Sequence, residues 1–174
     1  MSLFLIESTL NDNIKTEEAF EQTVSELEKE LSQELIEVQV ASDFGRAFFI
    51  FEADDEAALK QQLEAKNIPV DLSKEVRIVG QDLEEAKQQK EKINYLVEWN
   101  LPDHLTMDAY LERKKKNSVH YAEVPEVSFS RTYVCEDMTK CLCFYDAPDE
   151  EAVGRAREAV SAPVDSITQL NSKK

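Results

Sequence analysis

Residues 128–146 read SFSRTYVCEDMTKCLCFYD and gather most of the chemically capable side chains of this chain of 174 residues. All three of its cysteines, Cys135, Cys141 and Cys143, stand here, with Arg131, Tyr133 and Tyr145 between them. A polar loop over Glu136–Lys140 would pair Cys135 with Cys141, Tyr133 with Cys143, and Arg131 with Tyr145. Successive strand residues point to opposite faces, so these six side chains are expected on one face, with Val134, Leu142 and Phe144 on the other. Glu98, on a neighbouring strand, is the expected counter-charge for Arg131. Glu98, Arg131, Tyr133, Cys143 and Tyr145 therefore form the predicted ligand-binding set. It reads either as a network satisfying buried polar groups or as an apolar pocket with a few convergent polar groups, the usual build of a small-molecule site. Trp99 points away from Glu98 and reads as core or surface cover.

The thiols have three readings. They are small buried hydrophobes, or they do metal or thiol chemistry, or Cys135 and Cys141 form a cross-strand disulfide. An expected cytoplasmic, reducing setting opposes the last. Their spacing matches no structural zinc pattern. His104 and His120 are the two histidines; His104 reads as a solvent-exposed loop residue. His120 follows a basic helix end, where it either answers the helix carbonyls or, with Cys143, forms the candidate metal pair. No nucleophile-elbow or glycine-rich phosphate sequence is present, and there are only three glycines, so no catalytic machinery is visible and catalytic residues stay unassigned.

The elements that position these residues occur twice. LCFYDAPDEEAV at 142–153 answers FFIFEADDEAAL at 48–59, and APVD at 162–165 answers IPVD at 68–71, both 94 residues apart. NYLVE at 94–98 answers LFLIE at 3–7, and Thr106 answers Thr16. Such self-similarity predicts duplicated units: residues 1–80 and 95–171, joined by a charged linker over 81–94 that opens QDLEEAKQQKEK. Each half parses as strand, helix, hairpin, helix and strand. Thr16 or Thr106 is expected to cap the first helix and Asp55 or Asp149 the second; Phe20, Val24, Leu27 and Leu31 give the first helix one apolar face. The predicted class is α+β: two tandem ferredoxin-like βαββαβ repeats whose antiparallel sheets pack as an intramolecular pseudo-dimer, because a sheet with helices on one face must bury the other.

Composition sets the outer limits. Acidic residues outnumber basic ones 36 to 20, for a net charge of −16, which repels nucleic-acid phosphates and anionic lipid. No apolar run is long enough for a membrane span, and MSLFLIEST shows neither a basic leader nor a long apolar stretch followed by small residues, so a secretory signal is not expected. A cytoplasmic protein without nucleic-acid or membrane partners is expected.

Over YLVEWNLPDHLT, then FSRTYVCEDMTKCLCFYDAPDEEAV and APVD, the second half resembles a family of small bacterial ferredoxin-like domains, some described as nickel-binding. The resemblance implies the ferredoxin-like fold and nickel as the candidate metal. In the first half Glu37, Gln39 and Phe49 replace Arg131, Tyr133 and Cys143, so the expected site lies in the second half. Binding of a small ligand or metal there is the preferred expectation. The alternatives are a cofactor-light isomerase or monooxygenase with its site between the sheets, and an acidic protein-interaction module.

Overall fold

A computed structural model describes residues 2–10, 16–31, 33–79, 84 and 93–170. The first half contains β1 (Ser2–Thr9), α1 (Glu17–Glu30), β2 (Glu34–Val40), β3 (Arg46–Ala53), α2 (Glu56–Ala65) and β4 (Leu72–Val79). The second contains β5 (Tyr95–Asn100), α3 (Met107–Asn117), a 3₁₀ turn over Ser118–Glu123, β6 (Ser128–Cys135), β7 (Lys140–Asp146), α4 (Glu150–Ala159) and β8 (Ser166–Gln169). The order βαββαβ thus runs twice. Most of the expected 81–94 linker lies outside the described residues; its end is tied down by Asn94, which exchanges side-chain hydrogen bonds with the Ala147 backbone.

Local chemistry starts each helix where the sequence places it. The Thr16 and Thr106 hydroxyls accept from the amides of Ala19 and Ala109 at 3.1 and 3.2 Å. The Asp55 and Asp149 carboxylates accept from Ala58 and Ala152 at 3.2 and 2.8 Å. Each cap satisfies an amide that the helix cannot, which is worth about 1 kcal/mol.

The strands form one antiparallel sheet in the order β2-β3-β1-β4-β6-β7-β5-β8. Its halves join where Val76 of β4 pairs with Cys135 of β6. The outer edges meet again where Ala41 pairs with Leu170, the same two positions displaced by 94. The flanking backbone bonds, Glu136 N to Glu75 O at 2.9 Å and Ser42 N to Gln169 O at 2.8 Å, are likewise equivalent. The pseudo-dimer is therefore a single sheet rolled into a barrel rather than two separate layers.

Three apolar cores follow. One lies inside the barrel and takes residues from both halves, among them Leu5, Phe48, Ile50, Val76, Leu96, Leu142 and Phe144. The other two lie outside, beneath the helices. α1 and α2 cover Phe49 and Phe51 in the first half, and α3 and α4 cover Val97, Trp99, Cys141 and Cys143 in the second. β1, β3, β5 and β7 are buried on both sides, which is why they read as continuous apolar runs rather than alternating ones.

The second hairpin differs from its sequence reading by one residue. Lys140 already belongs to β7, and the loop is Glu136–Thr139, closed by Met138 N donating to Cys135 O at 2.9 Å and by Asp137 accepting from the Thr139 amide and hydroxyl. Met138 takes φ 62°, as Phe44 does at φ 57° in the equivalent turn. Cys141 consequently faces Val134, Cys143 faces Thr132, and Leu142 faces Tyr133. A one-residue slip turns every side chain of a strand to the other face. The expected six-residue face is thereby divided: Arg131, Tyr133 and Cys135 point into the barrel, while Cys141, Cys143 and Tyr145 point outward beneath the helices. All three thiols are free.

Candidate functional site

The predicted ligand-binding residues fall into three separate groups. At one end of the barrel, Glu98 meets Lys140 at 3.0 Å and Arg46 at 3.4 Å. Arg46 also bonds Glu7 at 2.7 Å, and Lys140 pairs with Glu7. Glu7 and Glu98 are equivalent positions of the two halves, as are Arg46 and Lys140, so the four charges form a pseudo-symmetric ring. Burial alone would raise the Glu98 carboxyl, but the two cations hold it below its ordinary value.

Deeper inside, Arg131 pairs with Glu37 rather than Glu98. Its Nε donates to Glu37 Oε1 at 2.8 Å and its Nη2 to Oε2. Tyr133 donates to Glu37 Oε1 at 2.5 Å, and Gln39 to Oε2 at 2.7 Å. A bulge precedes each charged residue, between Leu35 and Glu37 and between Phe129 and Arg131. Glu37 and Arg131 are again one position displaced by 94. A symmetric pair of such units would set like charges face to face; here the two halves differ and neutralise each other. With its charges mutually satisfied and apolar side chains around them, the barrel interior is an internal lock.

The third group lies outside, beneath α3, the 3₁₀ turn and α4. Cys143 is 1 % exposed; Thr132 Oγ1 donates to its sulfur at 3.3 Å and Arg157 Nη1 at 3.4 Å. Arg157, 3 % exposed, also donates from Nη1 to the Tyr145 hydroxyl at 3.0 Å and from Nη2 to Pro163 O at 2.6 Å. The hydroxyls of Tyr145 and Tyr121 lie 2.6 Å apart. Among the described residues no carboxylate reaches Arg157, and its Nε finds no protein partner. A buried cation without an anion costs several kcal/mol.

Over this floor opens a cleft lined by Trp99, Tyr110, Arg113, Lys114, Tyr121 and Arg157, with Asn117, Ser118, Val160 and Ala162 at its edges. Its envelope out to solvent is about 370 Å³, of which about 30 Å³ admits the centre of a water molecule. Arg113 stacks over Trp99 with its guanidinium 5.4 Å from the ring centre and donates to Ser161 O at 2.5 Å. Lys114 lies 4.3 Å over the Phe129 ring. Among the described residues neither cation has a carboxylate partner.

The first half is an internal control. Phe49, Phe51 and Leu63 occupy the positions of Cys143, Tyr145 and Arg157, and Phe20 that of Tyr110; all four are buried in its outer core. The same frame closes there with hydrocarbon, so the polar set of the second half is not a requirement of the fold. Sequence reasoning missed Arg157, Tyr110, Tyr121 and the cleft role of Trp99. The available signal was spacing: Val153, Ala156, Arg157 and Val160 lie on one helical face, which places an arginine where the first half has Leu63.

His120 and Cys143 are not brought together as a metal pair. The His120 side chain is 50 % exposed on the 3₁₀ turn and meets Glu123 at 2.6 Å, whereas Cys143 is enclosed. Among the described residues no group of three or more His, Cys, Asp or Glu side chains is placed to hold a metal ion, and no helix is long and apolar enough to cross a membrane.

The second half matches a known family. Residues 95–170 fit the model described as Nickel responsive protein SCO4226-like, and every residue lining the cleft lies within that SCO4226-like segment. No curated protein matches the chain. Solved structures share its fold over 99 % of its length: a chlorite dismutase-like protein (TM-score 0.60, 12 % identity, 96 % of that chain), a monooxygenase-like protein from Listeria innocua (0.52, 13 %, 95 %) and an anthrone oxidase-like protein (0.52, 9 %, 92 %). At these identities the likeness is one of fold.

Proposed function

We propose that this protein binds a small organic anion in the outer cleft of its second half. One observation carries the reading: in a chain of net charge −16, Arg113 and Lys114 line an aromatic-walled cleft with no carboxylate partner among the described residues. Trp99, Tyr110 and Tyr121 supply flat apolar surface, and the two cations supply charge at the mouth. Ligand sites are commonly apolar surfaces with a few placed polar groups, and an open cleft walled by three aromatic rings beside two cations suits a single ring bearing a carboxylate. Arg157 belongs to the floor and orients Tyr145 and Cys143.

Nickel, named by the description of the SCO4226-like family, does not fit these residues. Cys143 faces the Arg157 guanidinium, whose charge opposes a divalent cation, and His120 is engaged at the surface with Glu123. Imidazole and thiolate ligands suit nickel, but here they are not assembled.

The cleft contains the chain's only tryptophan, which provides an intrinsic reporter. Benzoate and phenylacetate are expected to change Trp99 emission and to bind by calorimetry, with affinity falling about tenfold in Lys114→Ala or Arg113→Ala, the loss of one charge-assisted contact. Lys115→Ala should bind as the unaltered protein does, and nickel chloride should leave the emission unchanged. Absence of binding by both acids, or equal affinity in all three variants, refutes the reading.

A further inference from the structure

The floor of the cleft carries chemistry of its own. Two donors converge on the Cys143 sulfur, the Thr132 hydroxyl at 3.3 Å and the Arg157 guanidinium at 3.4 Å. This is the environment of a thiolate, which only accepts. Charge balance points the same way, because the other two Arg157 contacts are the neutral Tyr145 hydroxyl and Pro163 carbonyl. In the first half the same two positions hold Phe49 and Leu63, packed in hydrocarbon, so the sulfur and the guanidinium occur together in one half and are both absent from the other.

Among the described residues the ionisable groups that act on the sulfur are Cys141 and Tyr145 from β7, Tyr110 and Lys114 from α3, Tyr121 from the 3₁₀ turn and Arg157 from α4. Hydrogen bonding from Cys141, with Lys114, Arg157 and Thr132 behind it, holds the Cys143 thiol well below its usual range against the opposing effect of burial. Donating that bond raises Cys141, and burial raises Cys135. Tyr121 is pushed up to about 12, chiefly by burial. The shifts of the other two cysteines and of Tyr121 thus run toward the protonated form and that of Cys143 toward the thiolate.

We propose that Cys143 is a modification site: a resident thiolate, charge-paired with Arg157 beneath the cleft, that is oxidised by small uncharged hydroperoxides. The sulfur lone pair attacks the nearer peroxide oxygen and an S–O bond forms as the O–O bond breaks. With hydrogen peroxide the products are a sulfenic acid on Cys143 and hydroxide, which carries the charge of the thiolate away to solvent; sulfur loses two electrons and peroxide gains them. Arg157, which lines the cleft and donates to the Cys143 sulfur, is placed to stabilise the charge that moves onto the departing oxygen, and the burial of Cys143 favours a small uncharged oxidant.

Two measurements on the intact chain test this. Far-ultraviolet thiolate absorbance, followed from about pH 5 to pH 9 across the ordinary cysteine range, should show about one thiolate already present at neutral pH and lost in Cys143→Ser. Brief exposure to hydrogen peroxide with a sulfenic-acid trap, mapped by peptide mass, should label Cys143 at least about tenfold faster than Cys135. Arg157→Leu, the residue of the first half, should move the absorbance midpoint upward and Arg157→Lys should largely restore it. A neutral-pH absorbance unchanged in Cys143→Ser overturns the thiolate. Labelling of Cys143 no faster than of Cys135 overturns the modification site, whatever the variants do.

Discussion

A guanidinium buried beside a cysteine sulfur with no carboxylate to answer it among the described residues is an expensive thing to keep, and Leu63 shows that the fold does without it. The cost of Arg157 is therefore best understood as the cost of a site. Arg131 makes the opposite point: it is equally buried, yet Glu37 answers it with two parallel hydrogen bonds, so it is spoken for and offers nothing to a ligand. Glu98 lies between these cases, shared by Lys140 and Arg46 at the barrel end. Because its folded pKa is depressed, its contribution to stability is fully present above its ordinary value of 4.5 and is lost as pH falls through the lower folded value. Chemical denaturation below about pH 4.5 should accordingly show stability declining more steeply in the unaltered protein than in Glu98→Gln, which lacks that carboxylate. Parallel declines would assign the acid sensitivity to other carboxylates.

At the scale of elements, the second hairpin decides which residues can cooperate. A loop of four residues rather than five sends Cys141, Cys143 and Tyr145 to the helices and leaves Cys135 inside the barrel, on the opposite face of the sheet. Mild oxidation should therefore yield no Cys135–Cys141 cross-link in peptide maps; finding one would restore the longer loop and return the thiols to a common face. The four helix caps were legible in the sequence because capping is decided within three residues. The strands and their order were legible because each pattern is written twice. Hairpin register was not, since Glu136–Lys140 and Glu136–Thr139 are equally polar and only the backbone turn at Met138 distinguishes them. The partner of Arg131 was hidden for another reason: Glu37 is distant in sequence and meets it only when the sheet rolls up. Arg157 was readable from its place on the apolar face of α4, flanked by Val153 and Val160, although a single arginine in an alanine-rich helix resembles a surface residue.

Across the whole molecule, joining two units in one chain permits what identical subunits cannot have, namely different residues at equivalent positions. Inside the barrel that freedom yields the Glu37–Arg131 lock, and outside it yields one half closed by phenylalanine and leucine and another opened by tyrosine, cysteine and arginine. Glu37→Arg alone should destabilise the protein by about 3–5 kcal/mol, the usual cost of an unpaired buried charge. Combining it with Arg131→Glu exchanges the pair across the pseudo-twofold axis and should recover most of that loss in denaturant titration. No recovery would mean that the surroundings, Gln39 and Tyr133 in particular, fix the polarity of the lock. The charge of the whole chain also bears on the site: an anion approaches a strongly acidic protein against its mean field, so the local cations Arg113 and Lys114 must overcome it at short range, within about 10 Å at 0.1 M salt.

The claim that the second half carries a site where the first carries only core is tested most directly by writing the first half's residues into the second. The triple variant Cys143→Phe, Tyr145→Phe, Arg157→Leu should fold with a melting temperature no lower than that of the unaltered protein, while calorimetric binding of benzoate falls at least about tenfold as aromatic and aliphatic side chains fill the floor. A folded triple variant that binds benzoate with unaltered affinity would contradict the assignment of the cleft as the binding site.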